Sequence, residues 1–86
     1  MSVHNFGVGR GKLTAQAHKA FNTAANKHDA LFCGNPNVPG SGYRFWFECA
    51  NRGSPFDNAT ARAVMAELKR GGWYDENGWA DKCFAK

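Results

Sequence analysis

The stretch Tyr43-Arg44-Phe45-Trp46-Phe47-Glu48-Cys49-Ala50 constrains this chain more than any other. Aromatic side chains dominate it, and they suit a pleated, half-buried surface. Alternation along a strand puts Tyr43, Phe45, Phe47 and Cys49 on one face and Arg44, Trp46, Glu48 and Ala50 on the other. The first is a core face and has to be covered. The second carries a cation, an indole and an anion, and is the candidate working face.

What can cover the core face is set by the rest of the chain. At 86 residues with 43% hydrophobic content, the sequence supports one small globular unit. We expect a flexible, basic, glycine-rich arm over residues 1–12 and a single small α+β domain over 13–86. No apolar run reaches the length of a membrane helix. Met1–Lys12 lacks the apolar core of a secretory signal, so a cytoplasmic protein with no membrane partner is expected. The three cysteines, Cys33, Cys49 and Cys83, are odd in number and are read as reduced and at least partly buried. No Cys or His pair has zinc-site spacing, and no cofactor motif is present, so neither metal nor cofactor is expected.

Phe6-Gly7-Val8-Gly9-Arg10-Gly11-Lys12 invites a phosphate-loop reading. It fails as one, because Leu13 stands where Ser or Thr is needed and Phe6 where the first glycine is needed. Arg10 and Lys12 keep an electrostatic role, within reach of a phosphate backbone. Thr14 to His28 reads as an alanine-rich helix. Leu13, Ala17, Ala20, Phe21, Ala24 and His28 lie on its apolar stripe, Thr14 is its N-cap, and Lys19 and Lys27 lie on its solvated face. Ala30–Cys33 can form a short strand, and Gly34–Gly42 is turn chemistry leading into the aromatic strand. A second helix begins near Ser54-Pro55, capped by Ser54 or by Asp57, and buries Ala61, Val64, Met65 and Leu68. Gly71-Gly72 ends it. In the tail, Asn77-Gly78 favours a hairpin between Trp73-Tyr74 and Trp79, with a short helix as the alternative. Trp73, Trp79 and Phe84 are too apolar to hang free, so the tail should dock on the body. The expected architecture is therefore α+β, with two helices packed on one face of a small antiparallel sheet and a docked C-terminal tail or hairpin.

No nucleophile elbow and no convincing carboxylate pair is present, so a non-enzymatic protein is expected. A basic residue beside an aromatic is the arrangement that stacks bases and neutralises phosphate. The net charge of +4 resides mainly in the N-terminal third. The leading expectation is a binding protein for nucleic acid, DNA or RNA, or for a nucleoprotein. Its candidate residues are Arg10, Lys12, Lys19, Arg44, Trp46, Arg52, Arg62, Lys69 and Arg70. The order helix, strands, helix loosely resembles a double-stranded-RNA-binding domain, with Gly53-Ser54 ahead of the Ala59–Leu68 stretch as the nearest local match. The sequence departs from that pattern: two strands are apparent before the second helix instead of three, Asn58 to Ala61 carries no cation, and there is no Gly-Pro-x-His loop. No residue roles are transferred from it. The alternative is an inhibitor or adaptor of phage or mobile-element type that covers the surface of a host protein complex, with Arg44, Trp46, Trp73, Tyr74 and the Pro36–Gly42 loop as contacts. A neutral or acidic exposed aromatic patch would favour the protein partner, and a continuous basic track would favour nucleic acid.

Overall fold

A computed structural model describes residues 3–35, 44–50 and 58–85. The elements follow the order β1 (Val3–Arg10), α1 (Ala15–Lys27), β2 (Leu31–Asn35), β3 (Arg44–Ala50), α2 (Ala59–Arg70), β4 (Tyr74–Asp75) and β5 (Gly78–Trp79), and a turn of 3-10 helix over Asp81–Cys83 follows. The architecture is α+β, as the residue pattern implies. Tyr43, Arg52, Ser54, Pro55, Asp57 and the Pro36–Gly42 loop lie outside the described residues.

The aromatic strand β3 is the centre of the sheet. It pairs antiparallel with β1 on one side and with β2 on the other. β1 and β2 therefore run parallel to each other with β3 between them, and α1 makes the crossover, which is a split β-α-β unit. This corrects the N-terminal expectation. Val3–Arg10 is not an arm but an edge strand, in register from Val3 opposite Ala50 to Arg10 opposite Arg44. The register shifts between Phe6 and Gly9, a bulge that turns the strand's phase over. A strand ahead of α1 also gives the order β-α-β-β-α, which is not the helix-first order that suggested an RNA-binding analogy.

Both helices lie on the Phe45/Phe47 face. Phe21 of α1 is the hub: its ring lies 5.6 Å from Phe32, 5.8 Å from both Phe45 and Phe47, and 4.9 Å from Trp79. Burial of such a ring contributes about 1.5–3 kcal/mol, and its aromatic neighbours add to that. Ala17, Ala24 and Ala25 are buried around it, and their small side chains let α1 approach the sheet closely. From α2, Ala61, Val64 and Leu68 are buried, with Met65 half-buried beside them.

The two helices stop in the same way. The Ala30 N–H donates to the Ala25 carbonyl at 2.8 Å and the Asp29 N–H to Asn26 at 3.4 Å, with Asp29 at φ 62. The Trp73 N–H donates to Leu68 at 3.0 Å and the Gly72 N–H to Lys69 at 3.1 Å, with Gly72 at φ 78. Each is a Schellman turn with a left-handed residue just past the helix. Gly72 fills that position without a Cβ penalty, and Asp29 is one of the few side chains that tolerate it.

The start of α2 differs from expectation. Its N-cap is Asn58, neither Ser54 nor Asp57. The Asn58 Oδ1 accepts from the Ala61 N–H at 3.1 Å and from the Cys49 thiol at 3.5 Å, and its Nδ2 donates to the Ala50 carbonyl at 3.1 Å. One buried amide thus ties α2 to the end of β3. Thr14 caps α1 as expected, accepting from the Ala17 N–H at 3.0 Å.

The tail forms a hairpin, with its turn one residue earlier than Asn77-Gly78. Tyr74 pairs with Trp79 and Asp75 with Gly78, so the loop is Glu76-Asn77. The Asp75 carboxylate takes the Asn77 N–H at 2.8 Å. The hairpin docks on the core side, where Trp79 meets Phe45 at 5.4 Å and Phe47 at 6.2 Å. The last described residues then run beside the entry to α1, with Leu13 bridged to Phe84 and the Ala85 N–H donating to Lys12.

Candidate binding surface

Among the described residues, the second sheet face has neither helix nor tail over it. Trp79 and Phe84 pack against Phe45 on the opposite side, so the tail does not cover Trp46. Residues directly opposite in an antiparallel pair share a face. The registers therefore gather Val3, Asn5 and Arg10 from β1, Leu31 and Cys33 from β2, and Arg44, Trp46, Glu48 and Ala50 from β3. Beyond the bulge, Val8 joins them. It lines a shallow cup of about 410 Å³ together with Asn5, Arg44, Trp46 and Glu48.

Three large apolar side chains are exposed among the described residues, and all three lie on this face: Val3 at 56%, Val8 at 57% and Leu31 at 63%. Val8 shares the cup with the half-buried Trp46, whose Nε1 donates to Glu48 Oε2 at 2.7 Å. The same carboxylate lies beside Cys33. Burial pushes the Cys33 thiol above its ordinary pKa, and the negative field of Glu48 and a hydrogen bond to it push the same way. Cys33 thus stays a protonated donor. Glu48, in contact with both Trp46 and Cys33, is a fixed charge on a face that also carries Asn5, Arg10 and Arg44.

Eight of the nine sequence-derived candidates lie among the described residues and separate into two groups. Arg10 and Arg44 are register partners, both exposed, at one end of the open face beside Trp46. Lys12 is exposed just past β1. The remaining cations belong to the helical layer on the other side of the sheet. Lys19 lines a groove between α1 and α2 that Trp73 closes. Arg62, Lys69 and Arg70 are exposed on α2. Glu67 answers part of this charge: its carboxylate lies 2.8 Å from Lys27, 3.5 Å from His28 and 3.8 Å from Arg70. Arg52 lies outside the described residues. The fold does not join these cations into one track.

Comparison of the chain with protein-family models, curated proteins and solved structures returned no match. The geometry alone carries the functional reading. Among the described residues, no group of three His, Cys, Asp or Glu side chains could hold a metal ion. No helix there is long and apolar enough to cross a membrane.

Sequence reasoning put Arg44, Trp46, Glu48 and Ala50 on this face and missed Val3, Asn5, Val8, Leu31 and Cys33 as its other members. Leu31 and Cys33 could have been found from the alternation of β2. The β1 residues could not, because the bulge breaks their alternation and the glycines suppress the strand signal.

Proposed function

We propose that this chain is a non-enzymatic binding protein whose open sheet face receives a segment of a partner protein. The observation that carries the reading is that Val3, Val8 and Leu31, each more than half exposed, all lie on the sheet face that holds Trp46. Several exposed apolar side chains gathered on one face of a small protein mark an interaction site. Tryptophan with arginine at its margin is the composition of an interface hot spot. The fitting segment offers apolar side chains to Val8 and Trp46 and a carboxylate to the Arg10/Arg44 end, where two cations stand side by side.

A second reading, binding of single-stranded nucleic acid, is favoured by that same arginine pair next to an indole. It ranks below the first because Glu48 stands on the same face and Lys19, Arg62, Lys69 and Arg70 lie across the sheet.

Affinity capture with three proteins separates the readings: the wild type, a face variant Val3→Asp/Val8→Asp, and a helical-layer variant Lys69→Glu/Arg70→Glu. The proposal expects a protein partner that the wild type and the helical-layer variant retain and the face variant loses. Loss on the helical-layer variant alone would refute it. The nucleic-acid reading expects binding to labelled single strands that falls steeply with salt and is weakened by Trp46→Ala.

A further inference from the structure

The two edges of the sheet are protected very differently. β1 carries a bulge after Phe6 and ends on the exposed Arg10. Its Val8 carbonyl already accepts from Trp79 Nε1 at 3.3 Å. Bulges, charges and covering side chains are the devices that keep an edge strand from pairing with another chain. Among the described residues, β2 has none of these. Its register against β3 runs unbroken from Leu31 to Asn35, and Leu-Phe-Cys-Gly-Asn contains no charge and no proline. β3 is its only strand neighbour among the described residues, and Leu31 is its most exposed apolar side chain.

We propose that β2 is a self-association edge: two copies of this chain pair antiparallel through Leu31–Asn35, centred on Cys33, and join their sheets into one of six strands. Two-fold symmetry then places Leu31 opposite position 35 of the second copy and Cys33 opposite Cys33 of the second copy. The charges on the adjacent central strands agree with this arrangement. Glu48 is the register partner of Leu31, and Arg44 is the register partner of Asn35. Across the two-fold axis, Glu48 of one copy therefore comes level with Arg44 of the other, about 14 Å apart at three strand spacings. The opposite pairing repeats at the other end. Acid faces base twice, and like charges are kept apart. At that separation solvent ions largely screen the attraction, so the charges only bias register and direction, and the affinity comes from main-chain hydrogen bonds. The two helical layers fall on the same side of the joined sheet, so both open faces remain available. The inference does not depend on a partner protein.

Cys33 supplies the test. Residues directly opposite in an antiparallel pair have Cα atoms about 4.5–5.5 Å apart, within the span a disulfide bridges. The protein, otherwise unmodified, would be examined by sedimentation equilibrium from micromolar to near-millimolar concentration. It would then be oxidised with diamide at alkaline pH and mapped by mass spectrometry. We expect a monomer–dimer equilibrium, and a trapped dimer linked Cys33 to Cys33. Leu31→Lys, at an exposed site, adds to the edge the charge that natural edge strands carry against pairing with another chain. It should raise the dissociation constant at least about tenfold and leave the circular dichroism spectrum unchanged. A protein that stays monomeric throughout overturns the proposal. So does a dimer that Leu31→Lys leaves intact and Val3→Asp/Val8→Asp dissolves, because that contact would be the open face. A link through Cys49 or Cys83, both buried, would also overturn it, because it would report unfolding.

Discussion

Replacing Asn58 with alanine removes a joint between helix and sheet. The wild-type amide satisfies the Ala61 N–H at the start of α2 and the Ala50 carbonyl at the end of β3, and it accepts the Cys49 thiol. Loss of the cap costs about 1 kcal/mol. The hydrogen bond to the Ala50 carbonyl is worth about 1 kcal/mol more, and somewhat more if that carbonyl stays dry. The thiol contact is long and adds little. Asn58→Ala should therefore cost roughly 2–3 kcal/mol, a lowering of Tm by about 10–20 °C in a domain of this size. Urea unfolding followed by tryptophan fluorescence would read it as a lower midpoint at unchanged slope. Asn58→Asp separates the two contributions. It keeps the acceptor for Ala61 and suits the positive end of the helix, but it cannot donate to Ala50, so about half the loss should remain. A cost for Asn58→Ala below about 0.5 kcal/mol, the size of an ordinary surface substitution, would refute the reasoning. Equal costs for the two variants would refute the division between cap and tie.

Other perturbations follow from single contacts. A Cβ added at Gly9 would fall within the buried Phe45 ring, so Gly9→Ala should destabilise by about 1–3 kcal/mol through overpacking, measured by thermal unfolding. Lys27 holds the Glu67 carboxyl below its ordinary range by a hydrogen bond and its positive charge, and His28 acts in the same direction. A depressed acid contributes stability above the ordinary carboxylate range, and the contribution is lost as pH falls through its folded value. Stability curves of wild type and Glu67→Gln should therefore differ at neutral pH and converge in acid. Cys33 is raised by burial and then by Glu48. Glu48→Gln should accelerate alkylation of Cys33 by iodoacetamide at slightly alkaline pH, because a larger fraction becomes thiolate. Unchanged kinetics would separate the thiol from that carboxylate.

Where the sequence was legible, one local pattern sufficed. The period of two in Arg44–Ala50 assigned both faces of β3, and the buried Phe45, Phe47 and Cys49 follow it. Thr14 and Gly71-Gly72 bounded their helices through chemistry contained within a few residues. The misread segments depended on partners distant in the chain. Val3–Arg10 is a strand because β3 pairs with it; on its own, Gly7 and Gly9 argue against one, and the bulge moves the outward side chains from Val3 and Asn5 to Val8 and Arg10. Asn58 outcompetes Ser54 and Asp57 as cap because it also reaches Cys49 and Ala50, which no capping pattern encodes. The Glu76-Asn77 loop is chosen by the pairing of Tyr74 with Trp79 and by the Asp75 carboxylate, against the pull of the Asn77-Gly78 dipeptide. The open face was half legible for the same reason: β3 announced its outward residues, and β1 did not.

The docking of the tail also has a temporal meaning. Trp73, Trp79 and Phe84 all touch rings that belong to earlier elements: Phe21 against Trp73 at 6.2 Å and Trp79 at 4.9 Å, and Phe45 against Phe84 at 6.3 Å. A ribosome adds residues in sequence at roughly 5–20 per second. While residues 73–84 are still inside the exit tunnel, the emerged chain can pair β1, β2 and β3 but cannot close the aromatic core over them. Completion of the fold therefore awaits release of Phe84 from the tunnel, and until then Phe21, Phe45 and Phe47 lack the rings that cover them in the finished molecule.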